Sequence, residues 1–374
     1  MLQDCGNLYK DLQTCAHDKK TGKDFFCLVP VLTYGRPWNF ITGPRSAGKT
    51  TGLACFLLLD FIRNERQFLY LRRTKDELDI TKQKFFNDAV NVIREKLNID
   101  IRNIFCEGFD YYIQIGDKDP VMCGTSFYLS KEEKLKSGGY FIYNIVYDEF
   151  ISQDSTGYLG TMEAPREYEK AIELYASMDR GVNRPYRNEV RFFFLGNTAT
   201  IYNPIFTELN VVKYIHETSK IIAPKGEAWL LQQLSIDDVR ILEDFKESFL
   251  YKLSTDEQKD YNFMNKGRDS DSFIEKKPDN AKCFLTLKIQ GKAYGVYLSE
   301  GLFYLAKAQF STPSMVYSLD IQSHDGVIDR EYIHSYGSNQ HMRMLCDAYK
   351  QGKMRFQDGV VKNVFMKYFR FLPN

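Results

Sequence analysis

A short glycine-rich motif constrains the fold of this chain more than any other feature of its sequence. Residues 43–50 read GPRSAGKT and match the pattern G-x-x-x-x-G-K-[ST]. An apolar stretch at 39–42 precedes the motif, and a strongly apolar stretch with helical spacing, 50–63, follows it. A strand that turns through glycines into a helix directs its backbone N–H groups toward a bound phosphate. The motif therefore predicts a nucleotide-binding P-loop.

The pattern also predicts which residues bind which part of the ligand. Lys49 would reach the β- and γ-phosphates, and the Thr50 hydroxyl would ligate Mg²⁺, so the expected cofactors are ATP and Mg²⁺. The residues expected to line the phosphates are Gly43, Pro44, Arg45, Ser46, Ala47, Gly48, Lys49, Thr50 and Thr51.

Two adjacent acids, Asp148 and Glu149, end an apolar stretch at 145–147. A carboxylate at the end of a strand neighbouring the P-loop strand would hold Mg²⁺ through water, which suits Asp148. Glu149 could act as the general base on the attacking water, which favours an ATP hydrolase over a kinase. Asn197 closes another apolar strand and could sense the γ-phosphate. The alternative for Asp148 and Glu149 is that they merely end a strand. The alternative for Asn197 is an ordinary turn asparagine.

Two loops carry basic residues that could act on the nucleotide of a neighbouring subunit. Arg180, Arg184 and Arg187 lie in a Gly- and Pro-containing segment, where an arginine could serve as a finger for a γ-phosphate. Lys134 and Lys136 precede Ser-Gly-Gly in a similar segment. The alternative is that these side chains are simply solvated.

Apolar runs predict strands and helices in alternation along the first part of the chain. Strands are expected at 39–42, 67–71, 140–147 and 190–195, and helices at 50–63, 74–97 and 165–178. This alternation predicts an α/β fold with a mainly parallel sheet covered on both faces. We expect a P-loop ATPase domain over residues 1–210, a helical lid or linker over 211–268 and a smaller domain with short strands over 269–374.

Charge and cysteine content exclude several other classes of protein. Lys and Arg number 50 against 49 Asp and Glu, so a uniformly basic nucleic-acid coat is excluded, although a local basic patch is not. The eight cysteines include no C-x-x-C pair, and the five histidines show no H-E-x-x-H spacing. We therefore expect reduced thiols and no zinc site. The sequence shows neither a membrane-spanning stretch nor a signal peptide, so we expect no membrane partner.

The last 34 residues combine a positive charge of +5 with interleaved aromatic side chains. Such a surface suits a nucleic-acid backbone with stacked bases, but aromatic residues in a core beneath solvated lysines would give the same pattern. The sequence leaves both readings open. The cations are Arg343, Lys350, Lys353, Arg355, Lys362, Lys367 and Arg370, and the aromatic residues are Tyr349, Phe356, Phe365, Tyr368, Phe369 and Phe371.

Residues 40–50, 67–73, 145–150 and 195–197 resemble the DNA-packaging (encapsidation) ATPases of small short-tailed phages, relatives of the terminase large subunits. The resemblance implies an additional-strand, catalytic-glutamate (ASCE) ATPase domain in a homomeric ring of five subunits. The ring would work in the host cytoplasm, at the portal vertex of an empty prohead, and push double-stranded DNA inward. In close relatives a structural prohead RNA joins the ring to the capsid.

The resemblance also assigns roles by position. Lys49 and Thr50 correspond to Walker A, Asp148 and Glu149 to Walker B, and Asn197 to the coupling residue. Among the loop cations, Arg184 matches the trans-acting arginine best, with Arg187 as a competitor because the loop is longer than the family's. Lys136 matches a second trans-acting basic residue.

The C-terminal part resembles the RNase H-like domain that is a nuclease in larger terminases. A nuclease of this kind needs an acid in its first strand to begin a two-metal site, and residues 284–289 offer none. Asp320, Asp325 and Asp329 lie further on without that partner. We expect a nuclease relic that serves in binding. The alternatives to a packaging motor without nuclease activity are a terminase with an active nuclease, a regulatory nucleotide-binding module and a helicase.

Overall fold

The computed structural model contains two compact units, which are described separately. The first unit comprises Met1–Leu159, Glu167–Ile201 and Tyr214–Arg268, and the second comprises Gly160–Arg166, Tyr202–Lys213 and Asp269–Asn374. The structure describes residues 5–18, 23–44, 47–134, 141–151, 166–179, 189–197, 203–209, 211–214, 220–234, 249–254, 273–289, 292–307, 315–318, 330–332, 339–358, 361–362 and 364–365.

Helices and strands alternate through the first unit, as the apolar runs predict. The helices are α1 (Cys5–Ala16), α2 (Val29–Thr33), α3 (Lys49–Asn64), α4 (Lys75–Thr81), α5 (Asn87–Leu97) and α6 (Arg166–Asp179). The strands are β1 (His17–Asp18), β2 (Lys23–Asp24), β3 (Trp38–Thr42), β4 (Gln67–Arg72), β5 (Ile101–Glu107), β6 (Asp110–Ile115), β7 (Val121–Tyr128), β8 (Ile142–Asp148), β9 (Arg191–Gly196), β10 (Lys220–Ile222) and β11 (Trp229–Gln233).

The remaining elements are shorter or belong to the C-terminal part. The helices are α7 (Pro204–Glu208), α8 (Phe249–Leu253) and α9 (Gln340–Lys350), with 3-10 turns at Leu129–Lys134 and Val211–Tyr214. The strands are β12 (Lys282–Ile289), β13 (Lys292–Ser299), β14 (Leu302–Lys307), β15 (Val316–Ser318), β16 (Arg330–Tyr332) and β17 (Met354–Phe356).

A mixed, mostly parallel sheet forms the centre of the first unit. Its nine strands within the described residues run in the order β10-β11-β3-β9-β8-β4-β7-β6-β5. The strands from β11 to β7 in this order are parallel to their neighbours, while β10, β6 and β5 are antiparallel additions at the two edges. The central strands are almost wholly buried, as expected for parallel strands covered on both faces. The predicted α/β class is confirmed.

Three details of the sequence prediction were wrong. The region 211–268 is not only helical, because β10 and β11 lie in it and β11 pairs with β3, so the sheet continues past residue 210. The expected helix over 74–97 is two helices, α4 and α5, and the Thr74 side chain caps the N-terminus of α4 by accepting from the Glu77 N–H. Strands β5, β6 and β7 were not predicted. Within the described residues, no helix has the length and apolarity needed to cross a bilayer.

The second unit has its own sheet, in the order β16-β15-β12-β13-β14-β17. Strands β12, β13 and β14 form an antiparallel meander, and β15 and β16 continue the sheet parallel to β12. Strand β17 extends the opposite edge of this sheet, parallel to β14. Strand β12 carries no acid, and among the described residues no group of three or more His, Cys, Asp or Glu side chains could hold a metal ion. Asp320, Asp325 and Asp329 lie outside those residues.

The aromatic residues near the C-terminus pack into the core of this unit where the structure describes them. Phe356 and Phe365 are fully buried, with ring centroids 5.3 Å apart, and Tyr349 packs against both. Lys362 is also nearly buried, with Nζ 5.8 Å from the centroid of the Phe273 ring. These residues therefore follow the core reading. Tyr368, Phe369, Phe371, Lys367 and Arg370 lie outside the described residues.

Removal of the Phe356 side chain should therefore act on stability. We expect Phe356→Ala to lower the free energy of unfolding of the C-terminal unit by about 3–5 kcal/mol, because the ring leaves a cavity in a packed core. Urea unfolding of the full chain, followed by near-UV signals, measures the change. Phe249→Ala is the matched control, because Phe249 is 84% exposed and its loss should change stability by less than about 0.5 kcal/mol. A stable Phe356→Ala protein with lost nucleic-acid affinity would instead favour base stacking.

Candidate nucleotide-binding site

The loop between β3 and α3 has the backbone shape that phosphate binding needs. Gly48 directly precedes α3 with φ of +80°, a left-handed conformation that glycine adopts without strain. The start of the loop is tightly packed, because a Cβ on Gly43 would lie 2.7 Å from Cβ of Leu234. Arg45 and Ser46 lie outside the described residues. The loop thus leads into the N-terminus of a 16-residue helix, where unpaired N–H groups favour an anion.

The side chain of Lys49 folds back across this loop and is nearly buried. Its Nζ donates to the carbonyl oxygens of Gly43 at 2.9 Å and Pro44 at 2.6 Å, and to Oδ1 of Asn197 at 3.3 Å. Residues from two separate sequence motifs therefore meet at one ammonium group. The lysine of a P-loop motif is the residue that reaches the β- and γ-phosphates.

Asp148 and Glu149 end β8 on the same edge of the sheet, and both bind one guanidinium group. Arg72, the last residue of β4, donates from Nη1 to Asp148 Oδ2 at 3.0 Å and from Nη2 to Glu149 Oε2 at 2.6 Å. The Tyr70 hydroxyl donates to the same Asp148 oxygen at 3.2 Å. Burial raises the pKa of Asp148, whereas the charge of Arg72 and these hydrogen bonds act to lower it. Arg72 thus fixes the orientation of both acids.

The strand order explains how these motifs meet. Strand β9 lies between β3 and β8, with Gly196 opposite Thr42 on one side and Leu195 opposite Asp148 on the other. We expected the strand of Asp148 to neighbour the P-loop strand, and this is wrong because β9 separates the two. The inserted β9 is the additional strand of an ASCE domain. It places Asn197 between Lys49 and the acids.

A cavity of about 660 Å³ joins the loop to the acids. The P-loop residues Ala47 to Gly52 line one side, and Asp148, Glu149 and Asn197 line another. The cavity then continues into a mostly apolar recess formed by Leu12, Cys15, Ala16, Phe25, Phe26, Leu28, Cys55, Asp88, Val92 and Lys96. Its size and its two chemically different ends suit a nucleotide, with polar phosphates and a flat apolar base.

The carboxyl oxygens at this edge suit Mg²⁺, a cation that prefers oxygen ligands. Thr50, in the first turn of α3, lines the same cavity as Asp148. The Thr50 hydroxyl and an Asp148 carboxylate reached through water are the ligand types that a P-loop ATPase offers to this ion. The residues present therefore fit the cofactor that the motif predicts.

Sequence reasoning missed two parts of this site. Arg72 was seen only as a residue at the end of a strand, because its contact with the acids depends on β4 lying beside β8. The recess formed by α1, α5 and residues 25–28 carries no motif, so only tertiary packing identifies it. Four predicted basic residues, Lys136, Arg180, Arg184 and Arg187, lie outside the described residues, and the side chain of Lys134 is not described either.

A methyl group at Gly48 should weaken nucleotide binding. An L-residue at this φ is strained, and its Cβ would lie 3.2 Å from Cβ of Phe25. We expect Gly48→Ala to lower Mg·ATP affinity about 10-fold, measured by calorimetry. Gly35→Ala is the matched control, because Gly35 also has positive φ (+61°) but open space around its Cα. Equal affinities in the two variants would contradict a role of the Gly48 backbone in phosphate binding.

Comparison with known proteins agrees with this geometry. The family model described as podovirus DNA encapsidation protein (Gp16) matches residues 23–372. The chain belongs to this family. The chain is similar to the DNA packaging protein of Bacillus phage phi29, with 27% identity over 356 residues, covering 92% of this chain and 97% of that protein. The DNA packaging protein of Bacillus phage B103 is 27% identical over 351 residues, covering 91% of this chain and 98% of that protein.

Solved structures show the same relationship. A chain from the bacteriophage phi29 viral genome packaging motor assembly superposes with a TM-score of 0.66 at 26% identity, covering 92% of this chain and 98% of that one. A chain from the phi28 gp11 DNA packaging motor gives a TM-score of 0.63 at 14% identity, which supports the fold alone.

Proposed function

We propose that this chain is the ATP-hydrolysing subunit of a motor that drives double-stranded DNA into an empty phage prohead. One observation carries the proposal. The cavity of an encapsidation-family chain brings together a P-loop lysine, a polar residue at the end of the inserted strand, and two adjacent acids. The packaging proteins of phi29 and B103 support the choice of DNA packaging as the work that hydrolysis drives.

The described residues would supply phosphate binding, Mg²⁺ binding, the general base and the coupling residue. The N-terminus of α3 and Lys49 would bind the phosphates, while Thr50 and Asp148 would hold Mg²⁺, which when bound neutralises charge on the phosphate oxygens. Glu149 would take the proton of the attacking water. Asn197, in contact with Lys49, would respond when the γ-phosphate is lost.

The assembly follows from the same proposal. The subunits would form a homomeric, pentameric ring in the host cytoplasm and transiently at the prohead portal vertex. The ring would contact the portal or connector, the DNA and a structural prohead RNA. Arg184 or Arg187 would act in trans on the nucleotide of the next subunit, with Lys136 as a second trans-acting cation.

The division of labour within the chain is also part of the proposal. Residues 1–210 with the strands β10 and β11 would form the ATPase domain. The rest of 211–268 would serve as lid or linker, and 269–374 would bind nucleic acid or prohead as a nuclease relic. The acid-free strand β12 supports this reading against a terminase with an active nuclease.

The test is ATP hydrolysis by the purified chain with and without double-stranded DNA and proheads lacking DNA. We expect turnover that rises with DNA and proheads, together with DNA that becomes resistant to added nuclease as it enters the prohead. ATP binding with no DNA-dependent turnover, even with proheads present, would favour a regulatory nucleotide-binding module. Cleavage of the DNA by the chain would favour the active-nuclease alternative.

A further inference from the structure

Arg73 directly follows Arg72, whose guanidinium group binds the two acids, but the Arg73 side chain has different partners. Its Nη2 donates to the carbonyl oxygen of Phe150 at 2.7 Å and lies 3.4 Å from the carbonyl oxygen of Glu149. Its Nε donates to the Glu167 carboxylate at 3.1 Å. Arg72 therefore binds the side chain of Glu149, whereas Arg73 binds the backbone that carries it.

The backbone at Glu149 needs such support. Its φ of +54° lies in the left-handed region, which is strained for a residue with a Cβ. The next residue is anchored on one side by β9, since Phe150 N–H donates to the carbonyl oxygen of Leu195 at 3.1 Å. Arg73 anchors the carbonyl side of the same turn. Together the two contacts determine where the Glu149 side chain leaves the sheet.

Arg73 is itself held by groups buried beside the sheet. Glu167, in the first turn of α6, is fully buried and accepts hydrogen bonds from both Arg73 and the Tyr147 hydroxyl. The Arg73 guanidinium also lies 5.8 Å from the centroid of the Tyr147 ring. Burying an ion pair rarely adds stability compared with apolar side chains, because both charges lose their hydration. Its value here is orientation, because the charged, fork-shaped guanidinium binds α6 and the turn simultaneously.

We propose that Arg73 and Glu167 are positioning residues for hydrolysis, which hold the turn at Glu149 so that its carboxylate faces the γ-phosphate end of the cavity. The inference rests on the proposed role of Glu149 as the general base. It assigns α6 a part in catalysis although, among the described residues, no α6 side chain lines the cavity. A misplaced base lowers turnover while leaving phosphate binding by the P-loop intact.

The test compares Arg73→Lys and Glu167→Gln with the wild type in the full chain. We expect kcat to fall about 10- to 100-fold in each variant while Mg·ATP affinity changes by less than about threefold. Lysine keeps the charge at 73 but cannot reach α6 and the turn at once, and glutamine keeps the shape of Glu167 without its charge. Tyr147→Phe, which removes one hydroxyl, provides a milder variant if either of these does not fold.

A double-mutant cycle separates positioning from a structural role. If Arg73 acts through Glu149, Arg73→Lys should not slow the residual single-turnover hydrolysis of Glu149→Gln any further. A purely structural role would reduce the rate by the same factor in both backgrounds and would overturn the inference.

Asp60→Asn is the matched control for a buried polar contact at the other end of β8. Asp60 is 1% exposed and accepts from Asn64 and Asn144, both at 2.7 Å. We expect the thermal midpoint of Asp60→Asn to fall without loss of kcat per folded molecule.

Two outcomes separate the positioning role from the proposed function. If the wild type hydrolyses ATP and kcat is undiminished in Arg73→Lys and Glu167→Gln, only the positioning role is overturned. A wild-type chain that binds but does not hydrolyse ATP, with DNA and proheads present, would overturn the proposed function itself.

Discussion

Glu149→Gln is expected to lower ATP turnover about 10²- to 10³-fold and to leave nucleotide binding nearly unchanged. The amide keeps the size of the side chain, and its oxygen can still accept from Nη2 of Arg72, which binds Glu149 Oε2 at 2.6 Å. It cannot take a proton from water at neutral pH. The loss should therefore appear in kcat, measured by phosphate release with DNA and proheads present, while calorimetry reports binding.

Glu77→Gln is a suitable control for this experiment. The Glu77 carboxylate is paired with the same two arginines, 4.0 Å from Nε of Arg72 and 3.6 Å from Nη1 of Arg73. Glu77 differs from Glu149 because it caps α4 and does not line the cavity. We expect a modest loss of stability and much smaller loss of turnover. Retained hydrolysis in Glu149→Gln would remove Glu149 from the mechanism and shift attention to Asp148.

Lys49→Ala should weaken Mg·ATP binding about 100-fold, the second largest effect we expect. Charge-assisted hydrogen bonds to phosphate are strong, and Lys49 is positioned for them by Gly43, Pro44 and Asn197. Losing such a contact costs about 3 kcal/mol, which corresponds to two orders of magnitude in affinity. Calorimetry on the purified variant gives the change directly.

Lys96→Ala tests whether any cation that lines the cavity contributes as much to Mg·ATP binding as Lys49. Lys96 lines the same cavity from α5, but its Nζ donates to the carbonyl oxygens of Cys15 and His17 near the end of α1. We expect less than a fivefold change in affinity, because no phosphate-binding motif contains it. Comparable losses in the two variants would indicate that general positive charge, and not the P-loop geometry, binds the nucleotide.

The parts of the site that could be predicted from sequence are those whose structure depends only on residues near each other in the chain. The glycines within residues 43–50 determine the conformation of that loop locally. Asp148 and Asn197 follow apolar runs directly, so the sequence alone places both side chains at the ends of strands. Arg72 could not be assigned in this way, because its role depends on β4 lying beside β8. Periodicity gives the direction of a side chain but does not give the neighbouring strand.

The missed strands have a similar explanation. Strands β5 and β6 form an antiparallel edge with partly exposed faces, so their sequence lacks the long apolar runs of the central strands. Strand β7 is mostly buried, but Gly124, Thr125 and Ser126 interrupt its apolar run. Strand β11 joins the sheet beside β3 although Trp229 lies 191 positions after its partner Trp38, and no local signal encodes a pairing over that distance. The buried aromatic residues of the C-terminal unit were ambiguous because Phe suits both a core and a base-stacking surface.

The position of β9 between β3 and β8 limits which insertions and deletions this family can tolerate. One residue added within β9 would turn Asn197 to the opposite face of the sheet, because side chains alternate along a strand. It would also shift Gly196 away from Thr42 and Leu195 away from Asp148, so one change would disturb both neighbouring strands. Length variation among relatives should therefore collect in the segments before Arg191 and after Asn197, whereas the spacing between these two residues stays fixed.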